Sequence, residues 1–167
     1  MFENRMKFVL SAVVVLSLAL AFTPAAFAAT SSAPMGISAT VVATCSVTPA
    51  VGGLQFGNYS GAVINQSTTI SVTCTNTTPY NVGLGAGTAT GETDQNRWMT
   101  NGTQTLNYVL HATSSSGPNW GNTSATNWQP GTGNGTAQTM TIFGVVAAGQ
   151  APTPGAYSDT ITVTVNY

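Results

Sequence analysis

Residues 35–47 alternate between two kinds of side chain, and this alternation limits the possible fold more than any other feature of the sequence. The odd positions from Met35 to Val47 are apolar, and the even positions are polar or small except for Val42. A period of two places each kind of side chain on its own face of a β-strand. The run would extend roughly 40 Å, whereas a typical strand has about five or six residues. It therefore predicts two strands' worth of pattern laid end to end.

The same alternation returns in shorter segments along the rest of the chain. Threonine fills many of the intervening positions, as expected for a β-branched residue on a solvated sheet face. Turn pairs such as Gly52-Gly53 and Pro154-Gly155 separate the segments, and no stretch after residue 29 repeats apolar residues at helical spacing. The pattern predicts an all-β fold with one domain, a sandwich or a barrel. The alternating segments are 70–74, 80–84, 106–110, 140–142 and 161–167.

Formal charge is nearly absent from this chain. It has three Lys or Arg and four Asp or Glu among 167 residues, and three of these seven lie in the first seven positions. A typical globular protein is about 25% charged. The composition excludes a basic face for nucleic acid and leaves too few acids and bases for most enzymes, so we expect no catalytic residues, cofactor or metal. The remaining charges are Glu92, Asp94, Arg97 and Asp159, and His111 is the only histidine.

Glu92, Asp94 and His111 are the residues to consider for metal binding or catalysis. Glu92 and Asp94 lie two residues apart in a Gly/Thr-rich segment, but calcium loops carry more carboxylates at tighter spacing. We therefore expect a solvated loop that pairs with Arg97. His111 has no Ser or Cys partner signature, which favours a structural role over that of a base.

The first 28 residues follow the plan of a secretory signal peptide. A short basic segment precedes the apolar run 8–21, and Ala28 ends an Ala-Phe-Ala processing site. An uncleaved anchor helix would need about 20 apolar residues, and this run is shorter. We expect cleavage between Ala28 and Ala29, which leaves 139 of the 167 residues for one domain with a core.

Cys45 and Cys74 are the only cysteines. In the oxidising compartment that a signal peptide implies, an isolated pair most simply forms a disulfide. A thiol nucleophile would need a base such as His111, and two Cys with one His make a poor metal set. We therefore predict a Cys45–Cys74 disulfide.

The C-terminal segment ends on Tyr167 in the middle of a strand pattern. An apolar edge strand with almost no charge beside it favours pairing with another chain. An arm of one molecule could then fill an edge of the next.

Several segments resemble spore coat protein U domains, and together they cover almost all of the chain after the signal peptide. The most specific are the surroundings of Cys45 and Cys74 and the C-terminal block 154–167. The similar segments read ATVVATCSV (39–47), LQFGNY (54–59), ISVTCT (70–75), RWMTNG (97–102) before LNY (106–108), IFG (142–144) and PGAYSDTITVTVNY (154–167).

The resemblance implies a subunit of an archaic chaperone–usher pilus. Such subunits have an immunoglobulin-like sandwich that lacks its last strand. A periplasmic chaperone fills the gap during export, and the N-terminal extension of a neighbouring subunit fills it in the fibre. The implied partners are copies of the chain itself, the chaperone and an outer-membrane usher, with no nucleic acid. The implied location is the cell surface, and the implied role of the fibre is adhesion and biofilm formation.

Carried onto this sequence, the resemblance divides the chain into the signal peptide 1–28, a donor-strand extension 29–42 and a pilin domain 43–167. The second half of the long run, around 43–47, becomes the first strand of the domain. The donor residues would be Met35, Ile37, Ala39 and Val41, and the acceptor edge would include Ile161, Val163, Val165 and Tyr167.

Two other classes remain open from the sequence. A small outer-membrane β-barrel would also suit a last strand that ends on an aromatic residue, although barrel strands are longer than most of these runs. A secreted carbohydrate-binding module could use Trp98, Trp120 and Trp128 as a stacking platform. For these tryptophans, packing on the sandwich or contact with a neighbouring subunit is the favoured interpretation. An enzyme fits least.

Overall fold

The computed structural model describes residues 28–123 and 126–167. The apolar part of the predicted signal peptide, 8–21, lies outside the described residues. The chain divides into two units, 1–39 and 40–167. The described part of the first unit, 28–39, is exposed and forms no strand, although it carries the alternating pattern. An alternating pattern makes a segment suitable for a sheet, but it does not supply the partner strand with which a ladder forms.

Eight antiparallel strands form the second unit, and the described residues contain no helix. In particular, no helix in the described part of the chain is long and apolar enough to cross a membrane. The strands are β1 (Cys45–Pro49), β2 (Ile64–Cys74), β3 (Pro79–Leu84), β4 (Arg97–Thr100), β5 (Thr105–His111), β6 (Gln129–Thr132), β7 (Ala137–Val146) and β8 (Val163–Asn166).

These strands build two sheets. The larger has the order β1-β2-β7-β5-β4, and the smaller has the order β6-β3-β8. The longest ladder joins β2 to β7, with Ile70 opposite Met140. In the smaller sheet β8 pairs with β3, with Val165 opposite Val82. Strands β1 and β8 are therefore edge strands, each with a neighbour on one side only.

The core consists of the apolar members of the alternating segments. Because successive side chains of a strand point to opposite faces, every second residue of β2, β3 and β5 points inward. This arrangement confirms the predicted all-β fold. The buried apolar side chains are Ile70, Val72, Cys74, Tyr80, Val82, Leu84, Leu106, Tyr108, Leu110, Trp120, Ile142 and Val146.

The predicted disulfide between Cys45 and Cys74 is confirmed. The two residues lie opposite each other in the β1–β2 ladder, with their Cα atoms 4.1 Å apart. The bond attaches the edge strand β1 to the longest strand pair of the larger sheet. The bond closes a loop with a sequence separation of 29 residues. In the chain-entropy model, such a loop contributes about 3–4 kcal/mol to the free energy of unfolding.

Candidate functional site: a groove between two rims

An open groove of about 1000 Å³ leads from the surface of the second unit to its core. Its floor is built from core residues of β2, β5 and β7, each at most 7% exposed. These floor residues are Ile70, Leu106, Tyr108, Leu110, Ile142 and Val146. An open apolar groove of this kind can accept another apolar segment.

One side of the groove is formed by residues 54–60, here called the first rim. Leu54, Phe56 and Tyr59 are half-buried and pack against the core, while the residues between them are exposed. The Tyr59 hydroxyl holds the segment in place, because it donates to the Ala147 carbonyl at 2.8 Å and accepts from the Gln150 amide at 2.9 Å. Among the described residues, no backbone hydrogen bond joins this segment to a neighbour. Its backbone is therefore free to form a ladder.

The opposite side is formed by residues 157–163, here called the second rim, which lead into β8. Tyr157, Ile161 and Val163 line the groove. The Ser158 amide and carbonyl pair with Thr100 at 3.1 and 2.9 Å. Because β8 is an edge strand, it pairs with β3 on one side only. The backbone groups on its other side have no ladder partner in the described chain. The groove thus has an available backbone edge on both sides.

The predicted acceptor residues are near this groove to different degrees. Ile161 and Val163 line it, and Val165 packs against the core from the edge strand. Tyr167 is 62% exposed and lies beyond the end of β8. The ladder of β8 covers 163–166, so it is shorter than the predicted pattern 161–167.

The predicted donor residues are exposed in the single chain. Met35, Ile37 and Val41 are 79%, 85% and 88% exposed, and Ala39 is also exposed. None of them belongs to a strand. The predicted cleavage residues Ala28 and Ala29 lie in the same kind of exposed, irregular segment. Five large side chains remain exposed in the described residues up to Val51, and these donors account for three of them.

Sequence reasoning did not predict the groove residues of the first rim. Phe56 contacts Tyr108 of β5, with ring centroids 5.8 Å apart. Leu54 and Phe56 lie directly over Gly144 of β7, where an added Cβ would overlap the Leu54 side chain. The signal was present in the sequence, because Leu54 and Phe56 are spaced by two. Two apolar residues with this spacing are too short a pattern to predict a strand.

The charged residues from Glu92 onward form an electrostatic network around Arg97. Arg97 is 1% exposed and donates to three backbone carbonyls: Leu84 at 2.7 Å, Gly85 and Trp120 at 2.9 Å each. Its Nη1 has no partner in the described chain. Burial lowers the pKa of the guanidinium. Arg97 thus connects its own strand, β4, to the end of β3 and to the segment around Trp120.

Asp94 performs a similar task for the segment before β6. It is 4% exposed, and its Oδ2 accepts from the amides of Asn122 at 2.8 Å and Thr123 at 2.9 Å, and from the side-chain amide of Asn127 at 2.9 Å. Burial alone would raise the pKa of Asp94, but these hydrogen bonds outweigh it and hold the pKa at about 2. The prediction of a solvated loop at Asp94 and Arg97 was therefore wrong. In a chain this poor in charge, both ions are used inside the fold.

Glu92 and Asp159 complete the network beside Gly87. Glu92 accepts from the amides of Ala89 at 2.8 Å and Trp98 at 2.7 Å. Asp159 accepts from the Thr88 amide at 3.1 Å and the Tyr108 hydroxyl at 2.5 Å. Burial and the bond to Asp159 raise the pKa of Tyr108, so the hydroxyl stays protonated.

The remaining candidates do not assemble into a site. Trp120 is 1% exposed, and its indole N–H donates to the Val82 carbonyl at 2.9 Å, so it cannot join a stacking platform. Trp98 and Trp128 are half-buried, and so is His111. Among the described residues, no group of three or more His, Cys, Asp or Glu could hold a metal ion.

The geometry defines a class: an all-β sandwich with a surface groove between two rims whose backbones each have an available edge in the described chain. The model of the Spore Coat Protein U domain family matches residues 31–164, so the chain belongs to that family. None of the curated proteins searched matches the chain.

A similar fold occurs in a solved structure. It is a chain of the CsuC–CsuE chaperone–tip adhesion subunit pre-assembly complex from the archaic chaperone-usher Csu pili of Acinetobacter baumannii. The identity is 24%, the TM-score is 0.56, and the match covers 77% of this chain and 41% of that chain. This protein therefore matches less than half of the length of its structural neighbour. The likeness supports an immunoglobulin-like fold of the kind found in that complex.

Proposed function

We propose that this protein is a structural subunit of an archaic chaperone–usher pilus and that it polymerises by donor-strand complementation. The segment 35–41 of one copy enters the groove of the next copy. A periplasmic chaperone holds the subunit before assembly, an outer-membrane usher exports it, and the fibre at the cell surface supports adhesion and biofilm formation. The chain is not an enzyme. The family membership and the fold of the structural neighbour support this class.

One observation carries the proposal: the described chain contains both a groove that a strand could fill and an exposed alternating segment, 35–41, that has no strand partner. The first rim, 54–60, and the donor segment, 35–41, each have seven residues, or about 20–25 Å of extended chain. The donor segment has alternating apolar side chains for the floor, and its backbone can pair with both rims. The match in length and in pattern is what donor-strand addition requires.

Burial of the donor side chains supplies the driving force. Fully burying Met35, Ile37 and Val41 contributes roughly 1.5–3 kcal/mol each, and Ala39 contributes less. The sum is several kcal/mol before the cost of ordering the segment. Ladder hydrogen bonds to the rims add to it, because the backbone of the first rim and the free side of β8 have no ladder partner among the described residues. Together these terms favour a stable joint between subunits.

The same groove accounts for the need for a chaperone. An empty subunit leaves apolar rim side chains such as Phe56 and Ile161 only half-buried beside two available backbone edges, which is a combination that leads to aggregation. A chaperone that lends a strand to the groove would cover both until the next subunit arrives. The groove therefore has two successive occupants, and both are extended strands.

The test compares two adjacent substitutions in the donor segment. Ile37→Asp puts an unpaired carboxylate on the face that enters the groove, whereas Ser38→Asp adds the same charge on the opposite face. The lost Ile burial and the buried charge together should weaken the joint by at least about a thousandfold. On a gel without boiling, wild-type and Ser38→Asp surface material should give a ladder of polymers that collapses to one band on boiling. Ile37→Asp should give only chaperone-bound monomer, and a normal ladder from it would overturn the donor assignment.

A further inference from the structure

Besides its backbone hydrogen bonds to Thr100 and Gly85, the second rim is attached to the sandwich through the side chain of Asp159. Its Oδ1 accepts from the amides of Thr88 at 3.1 Å and Thr160 at 2.7 Å. Its Oδ2 accepts from the Tyr108 hydroxyl at 2.5 Å. One half-buried carboxylate thus connects the rim to the loop that follows β3 and to strand β5.

Tyr108 links this attachment to the other side of the groove. It is a buried residue of the groove floor, and its ring contacts Phe56 of the first rim. Its hydroxyl contacts Asp159 of the second rim. A single side chain therefore touches both rims, and its position fixes the distance between them.

The surroundings of the pair leave it little freedom. Asp159 and Glu92 both lie against Gly87, where an added Cβ would overlap their carboxylate oxygens. Glu92 is itself held by two backbone amides. The Asp159 carboxylate cannot move toward Gly87 without displacing a neighbour that is also bound. The pair is therefore a rigid connection.

We propose that the Tyr108–Asp159 pair is a positioning element that holds the empty groove at the width a donor strand needs. This inference rests on the proposed function and adds to it a residue pair that acts on strand uptake. Before a donor arrives, the backbone bonds of the second rim run to Thr100 and to β3, and no backbone bond between described residues joins the two rims. The Tyr108 side chain touches both rims, so its bond to Asp159 helps set the distance between them. After a donor arrives, the ladder bonds on both sides hold the rims themselves.

The proposal separates two rates that a general loss of stability would not separate. Without the pair, only a fraction of empty subunits has the correct groove width, and uptake slows in proportion to that fraction. Loss of one hydrogen bond to a charged group lowers this fraction by about tenfold. Release of a bound donor should change little, because the filled groove no longer depends on the pair.

The experiment uses the exported chain with Ile37→Asp, which disables its own donor segment and leaves the groove unchanged. The probe is a labelled synthetic peptide of residues 34–42. Tyr108→Phe and Asp159→Asn should each slow peptide uptake about tenfold and change its release by less than about twofold. Tyr80→Phe is the matched control, because its buried hydroxyl contacts Gln138 in the other part of the sandwich; it should change neither rate.

Each outcome bears on the proposal in a defined way. Equal slowing of uptake by all three variants, or faster release with unchanged uptake, would overturn the positioning role. Should Asp159→Asn fail to fold, Tyr108→Phe decides alone, because it keeps the ring contact with Phe56. Uptake by the parent chain with no effect of either variant would refute this inference and leave the proposed function intact. Absence of any uptake by the parent chain would refute both.

Discussion

Replacing Asp94 by Asn should lower the stability of the sandwich by an amount that depends strongly on pH. The side chain is almost fully buried and accepts three hydrogen bonds through one oxygen. Asn has the same size, so the packing is preserved and the charge alone is removed. The substitution therefore isolates the electrostatic contribution of the carboxylate.

The magnitude follows from the pKa of Asp94. The folded protein lowers this pKa from 3.8 to about 2. At 1.36 kcal/mol for each pH unit, the charged form of Asp94 contributes about 2 kcal/mol to the free energy of unfolding. Because the folded pKa lies below the unfolded one, this stability is fully present above about pH 4. It is lost as the pH falls from about 4 toward 2.

The assay is chemical unfolding of the exported chain with its disulfide intact, at several pH values, for the parent and for Asp94→Asn. Ile37→Asp is present in both, so that neither chain polymerises. The difference in free energy of unfolding should be about 2 kcal/mol at pH 7 and should approach zero near pH 2. At pH 7 this corresponds to a fall in melting temperature of roughly 6–10 °C. A difference that stays constant from pH 7 to pH 2, or no difference at pH 7, would refute the reasoning.

Three further predictions follow from the packing of glycines and from the charge distribution. Gly87→Ala should destabilise the fold by about 1–3 kcal/mol in thermal unfolding, because the new Cβ overlaps two bound carboxylates, whereas Gly85→Ala, with an ordinary contact at 3.4 Å, should cost less than about 1 kcal/mol; equal effects would contradict the account. Gly144→Val should displace Leu54 of the first rim from its contact with β7 and slow uptake of the donor peptide, and unchanged uptake would exclude a role of the first rim. Uptake should vary by less than about twofold between roughly 0.05 and 0.5 M salt, because no Asp, Glu, Lys or Arg side chain from Glu92 onward is fully exposed; a steep salt dependence would contradict this.

The sequence predicted most of the sheet structure because apolar alternation and burial have the same origin. Strands β2, β3, β5 and β7 each contain a predicted alternating segment. Strands β4 and β6 were not predicted. Each has only four residues, and β6 contains Pro130 and Gly131 within a Gly-rich connection. Such short strands owe their conformation to the neighbour with which they pair rather than to their own side chains.

The long run 35–47 shows what a side-chain pattern cannot predict. Its pattern is uniform, yet only its last residues join the ladder of β1, which continues to Pro49. A side-chain pattern records which face can be buried and cannot record where the partner strand comes from. In this chain, residues 35–41 are fit for a sheet and have no strand partner within the described residues. That mismatch is the basis of the proposed function.

The charged residues were the least predictable part of the candidate site. From the sequence, Asp94 and Arg97 belong to a polar loop, and polar loops are usually solvated. Their burial depends on contacts with Leu84, Trp120 and Asn122, which are distant in the sequence. A scarcity of charge was visible from composition, but its concentration in one internal network was not. Among the described residues no Asp, Glu, Lys or Arg side chain is fully exposed, which suits close packing of identical subunits.

The most direct test of the central claim is hydrogen exchange of the backbone amides on the first rim and in the donor segment. In chaperone-free monomer, the amides of 54–60 and 35–41 should exchange rapidly, because they have no backbone partners. In assembled polymer, both segments should become protected together, along with the amides of the second rim around Ile161. Polymer in which these amides exchange as fast as in the monomer would contradict donor-strand complementation.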